Sequence, residues 1–130
     1  MDILFQSLNP FDEEDAPEIE LNGDEFIAIR DLVRGVLHLD TALLRPPVDE
    51  MTASMIAISL ENALADGSAN AWFQKDGARM QQADDEEWGF GSPEEYATHM
   101  MEVTRRFAAF LQDGSGYDVE DSDWLMGWMF

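Results

Sequence analysis

The chain has 130 residues, 28 Asp and Glu against 7 Lys and Arg, and a formal net charge of −21. Direct binding to nucleic-acid phosphate or to an anionic membrane surface is close to excluded, because both run on clustered Lys and Arg. Cysteine is absent, and no apolar run reaches the roughly 18 residues of a membrane-spanning helix, which removes disulfides, thiolate metal sites and membrane spans.

Apolar residues nevertheless make up 45%, with eight Phe, eight Met and four Trp, enough for one packed core. A chain of this size is one ordinary domain, since halves of it would bury too little surface to stand alone. Self-repulsion at this charge opposes compactness, so salt, a cationic partner or a strong core must offset it. The start, Met-Asp-Ile-Leu-Phe, lacks the basic region of a signal peptide, and the cytoplasm is the expected compartment.

Residues 1–23 contain no Lys or Arg and form an acidic-apolar N-terminal segment. Ile3, Leu4, Phe5, Leu8 and Phe11 precede the run Asp12 to Asp15, and either fold back onto the core or order on a partner. Ile19 and Leu21 alternate with Glu18 and Glu20, as in a short edge strand. The helical core is expected over 24–113. Phe26, Ile29, Val33 and Val36 or Leu37 predict a helix over 24–38, capped by Asn22 or Asp24. Arg45-Pro46-Pro47 is a stiff connector. Ala53, Ile56, Ala57, Leu60 and Leu64 predict a second helix over 48–65, with Met51, Met55 and Ile58 widening its apolar stripe and Asp66-Gly67 stopping it.

Residues 69–82 are the best β candidate, a hairpin of 71–74 and 78–81 around Lys75-Asp76-Gly77. The acidic run Asp84, Asp85, Glu86, Glu87 then ends in Trp88. Ser92-Pro93-Glu94-Glu95 is a capping box with proline at the first helical position, and Tyr96, Met100, Val103, Phe107 and Phe110 or Leu111 form the buried face behind it. On its outer face Glu102 and Arg106 are spaced to pair, and Gly114 can end the helix. The tail, 114–130, holds a short alternating stretch at 117–120, then acids, then Trp124 to Phe130 with six large apolar residues in seven. That end packs on the core, on a partner, or on a second copy in a homodimer.

Catalytic chemistry finds little purchase. His38 and His99 are the only histidines, His99 one turn from Glu95 and suited to pair with it. No zinc-binding His pair and no nucleophile elbow occurs. The stretch 113–120 does not fit the calcium-loop register, and Gly89-Phe90-Gly91-Ser92 lacks a full phosphate-binding glycine pattern with acids on both sides. No cofactor and no metal is expected.

The expected fold is therefore α+β and mainly helical, about three main helices around one core with a small β-hairpin or short strands. The expected function is non-enzymatic: binding a basic, nucleic-acid-binding surface of another protein. Its candidate contacts are Asp84, Asp85, Glu86, Glu87, Trp88, Glu94 and Glu95, with Trp124, Trp128 and Phe130 as apolar anchors. In size, acidity and lack of cysteine the chain resembles phage-encoded anti-CRISPR and anti-restriction inhibitors that mimic DNA, and the resemblance lies in composition alone. Two alternatives share the charge: an immunity protein against a basic toxin nuclease, and a salt-adapted small housekeeping protein or enzyme. Plain duplex or single-stranded DNA is expected to give no mobility shift with this protein; a shift that weakens as salt rises would show cations meeting phosphate.

Overall fold

The computed structural model describes residues 2–7, 18–45, 47–82, 92–113 and 116–119, and these form four α-helices and a three-stranded antiparallel sheet. The mainly helical α+β class follows directly. Strand β1 (Asp2–Ser7) is central, flanked by β2 (Glu18–Asn22) and β3 (Tyr117–Val119). The alternation seen at Ile19 and Leu21 is that of edge strand β2, and the alternation at 117–119 is that of β3. Phe5 stands opposite Ile19 on one side and Val119 on the other, while Ile3 faces Leu21. One face of the sheet thus carries Ile3, Phe5, Leu21, Tyr117 and Val119, all buried against the helices. Phe5 folds back onto the core; Leu8 and Phe11 lie outside the described residues.

Helix α1 (Gly23–Gly35) begins where β2 stops, because Asn22 closes a reciprocal capping box with Glu25: each side chain takes the other's backbone N–H, at 2.8 and 2.9 Å. It ends three residues before the expected His38, which instead takes a left-handed conformation (φ 56°), while Leu39 N–H reaches back to the Val33 carbonyl. A 3-10 turn (Thr41–Leu44) leads to helix α2 (Glu50–Asp66). Asp49 caps α2 by accepting from Thr52 N–H at 2.7 Å, which holds its carboxyl below the usual carboxylate range. Left-handed Gly67 terminates it, as the sequence predicts.

The segment expected as a hairpin is a helix, α3 (Ser68–Gln82), and this is the main correction to the sequence reading. Its buried residues Ala69, Phe73 and Asp76 recur at helical spacing, and Ala71 N–H bonds the Gly67 carbonyl. Gly77 is no turn residue. A Cβ there would lie 2.9 Å from the Tyr96 ring and 3.1 Å from Pro93 Cα, so the glycine lets α3 press onto the start of helix α4 (Pro93–Asp113). Ser92 accepts from Glu95 N–H to open α4, which packs against α1, α2 and α3. Two surface pairings differ from expectation. Glu102 meets Arg105, three residues on, at 2.9 Å, and His99 meets Glu25 of the α1 capping box at 2.8 Å. The Gly114 cap falls outside the described residues.

Aromatic rings fill the space between sheet and helices. Phe5 lies 5.2 Å from Phe26, 5.4 Å from Phe107 and 5.1 Å from Tyr117 between ring centroids, and Phe110 stacks beside Phe107. The Tyr117 hydroxyl donates to the Leu44 carbonyl, and its backbone exchanges two hydrogen bonds with Val48, tying β3 to the approach of α2. Gly116 makes this approach with φ 98°, its Cα so close to Val48 that a Cβ would stand 2.3 Å from the Val48 oxygen.

Burial raises the Tyr117 phenol, and burial together with the Asp76 charge raises that of Tyr96. These are the chain's two tyrosines. Both must stay neutral in the folded state, so their contribution to stability is intact below the ordinary phenol pKa of about 10 and is lost as pH climbs past it. The thermal midpoint is expected to fall beyond about pH 10, with phenolate absorbance rising only as the protein unfolds. Ionisation of either tyrosine in the folded protein below that range would contradict the burial. Gly116→Ala is expected to destabilise by about 2–4 kcal/mol in denaturant unfolding, combining left-handed strain with a clash against Val48.

Candidate functional site: an acid-edged methionine face and a cationic groove

Two surface features stand out on this scaffold. The first is the outer face of α2. Ala53, Ile56, Ala57 and Leu60 point into the core, whereas Met51, Met55 and Ile58 lie on the opposite side and are 82%, 41% and 53% exposed. From sequence alone these three widen the apolar stripe of Ala53, Ile56, Ala57, Leu60 and Leu64. At about 100° per residue they sit half a turn from the core positions, and the helix is apolar on both faces. Exposed Asp49 and Glu50 border this stripe at one end and Glu61 at the other, where Gln112 of α4 donates to it at 2.8 Å. No Lys or Arg occurs anywhere between residues 46 and 74.

The second feature is a groove of about 560 Å³ between the last turns of α1 and the outer face of α3. Asp31, Arg34 and Gly35 line it from α1; Trp72, Lys75, Asp76 and Arg79 line it from α3, at positions i, i+3, i+4 and i+7 of one helix face. Gly35 seats the Trp72 ring, since a Cβ at 35 would stand 2.5 Å from a ring carbon. The Trp72 indole N–H is buried without a hydrogen-bond partner among the described residues. Asp31 accepts from Arg30 and Arg34 at 3.3 and 3.4 Å. Asp76, buried, accepts from Arg79 through one oxygen and from the Tyr96 hydroxyl, at 3.0 Å, through the other. The Asp76 bond raises the Arg79 guanidinium above its ordinary value and fixes the cation in place. The groove lining holds no histidine and no hydroxyl nucleophile, and both its carboxylates are engaged by arginines.

Of the contacts expected from sequence, Glu94 and Glu95 are exposed on the first turn of α4. Asp84, Asp85, Glu86, Glu87, Trp88, Trp124, Trp128 and Phe130 lie outside the described residues. The groove escaped the sequence reading because a hairpin places Lys75 and Asp76 in its turn; only with 69–82 as a helix do Trp72, Lys75, Asp76 and Arg79 share a side. Among the described residues no group of three or more His, Asp or Glu is arranged to hold a metal ion, and no helix is long and apolar enough to cross a membrane. No family model matches the chain, and comparison with curated proteins and with solved structures returns no match.

Proposed function

We propose that this chain is a non-enzymatic acidic protein that binds a basic, nucleic-acid-binding surface of another protein, in the manner of a phage-encoded anti-defence inhibitor acting in the cytoplasm. The observation that carries the reading is the outer face of α2. Met51, Met55 and Ile58 form an exposed stripe at helical spacing, edged by Asp49, Glu50 and Glu61, on a stretch of chain without a single Lys or Arg. Methionine is enriched in interface cores, and a helix face of this kind suits an apolar groove rimmed by Lys and Arg. Acidic residues around such anchors steer a basic partner and suppress acidic ones. The acids at 84–87 and 94–95 add to the chain's negative charge.

A second reading has its own support. Exposed acids occur on β2 (Glu18, Glu20), α1 (Asp24), α2 (Glu50, Glu61), α4 (Glu94, Glu102) and β3 (Asp118), a spread that also suits a salt-adapted surface. Thermal unfolding across salt concentration separates the two. An inhibitor with a strong aromatic core is expected to stay folded at low ionic strength, and unfolding there favours salt adaptation.

Capture of a partner from the native host, identified by mass spectrometry, supplies the binding assay. Met55→Ser combined with Ile58→Ser, and separately Asp84→Asn, Asp85→Asn, Glu86→Gln and Glu87→Gln together, are expected to weaken that complex. The amide set should act mainly through association rate and salt dependence, with stability shifted by under about 0.5 kcal/mol per substitution. Affinity unchanged in both variants would remove the proposed interface.

A further inference from the structure

We propose that the groove between α1 and α3 is a binding site for a small phosphomonoester carrying a flat aromatic body. Three of the chain's seven basic residues line the groove: Arg34, Lys75 and Arg79. Against them stand two carboxylates, Asp31 and Asp76, which leaves a surplus of positive charge in a protein of net charge −21. A phosphomonoester carries close to two negative charges at neutral pH and meets three cationic side chains there.

The geometry favours a ligand over an internal ion-pair network. Arg34 and Arg79 each engage a carboxylate, yet their side chains are 69% and 74% exposed. A guanidinium has five N–H donors, and the carboxylates leave several of them open. Lys75 is exposed and has no salt-bridge partner among the described residues. Asp31 and Asp76 therefore act as braces that aim the two guanidinium groups into the groove, and Tyr96 braces Asp76 in turn. The Trp72 ring, backed by Gly35, supplies a flat apolar wall beside these donors, where a ligand ring gains stacking contact. A volume of about 560 Å³ lies inside the usual range for small-molecule pockets. The protein's overall negative charge does not prevent entry, because at physiological salt the field of distant carboxylates is screened within about 8 Å while the groove cations act at contact.

Calorimetric titration of the full chain with adenosine monophosphate, phenyl phosphate, adenosine and inorganic phosphate tests the assignment. Saturable binding of at least one of the two ring phosphates, one per chain, is expected, with adenosine and inorganic phosphate each weaker by roughly tenfold or more. Arg34→Met and Lys75→Met alter exposed side chains and should each reduce affinity roughly tenfold, the loss of one charge-assisted hydrogen bond, with the circular dichroism spectrum unchanged. Arg105→Met, on the exposed face of α4, should bind as the parent does and controls for net charge. Failure of both ring phosphates to bind, inorganic phosphate binding as tightly as they do, or equal affinity in Arg34→Met and Lys75→Met would each overturn the proposal.

Discussion

Phe5 and Tyr117 meet edge to face in the middle of the molecule, and the remaining architecture is arranged around that contact. Phe5 belongs to the central strand and Tyr117 to its neighbour, so the pair fixes the sheet. Phe107 touches both rings and fixes where α4 lies, and α4 is the helix on which α1, α2 and α3 all pack. Through its hydroxyl and backbone Tyr117 also holds Leu44 and Val48, which sets the starting point of α2. A dense ring cluster of this type gains both area burial and favourable edge-to-face geometry, about 0.5–1.5 kcal/mol per aromatic pair beyond the area itself.

That apolar centre is what makes so acidic a chain tenable. The ion pairs between Arg34 and Asp31, and between Arg105 and Glu102, join neighbouring residues of one helix at exposed positions, where such pairs contribute little. The Arg79–Asp76 pair differs because Asp76 is buried and shared with Tyr96, which couples α3 to α4. Cation placement is thus uneven. One groove has more positive than negative charge, while α2 carries only acids and exposed methionine.

Where a local rule had a single physical solution, it was legible in the sequence. Asn22, one of two expected caps, Gly67 after α2 and Ser92 before α4 do what their residue types require at helix ends, whereas Asp49, expected inside the first turn of α2, is its cap. The hairpin reading of 69–82 failed because Lys75-Asp76-Gly77 has turn chemistry, whereas Gly77 serves a close helix crossing with Tyr96 and Pro93 that no local pattern reveals. Strand β1 was hidden for a related reason: Ile3, Leu4 and Phe5 are consecutive apolar residues, and the alternation of a strand emerges only when Leu21, Ile19 and Val119 are paired with them. On α2, apolar residues on both faces left periodicity unable to say which side turned outward. Of the two surface features, the acidity and lack of cations along α2 could be read directly. The groove could not, since it joins α1 to a helix that the sequence disguised.

The sheet order has a consequence for how the chain is made. The central strand β1 and its partner β2 lie close together in the chain, but β3 comes only with residues 117–119. At ~10 residues per second the wait is roughly ten seconds, during which β1 presents an open backbone edge with Ile3 and Phe5 beside it. Nascent chains in that condition are prone to stick to one another. Glu18 and Glu20 flank the apolar positions of β2, and the run from Asp12 to Asp15 lies between the two strands. Copies emerging side by side on neighbouring ribosomes carry like charge along this part of the chain, which opposes edge-to-edge pairing of their strands.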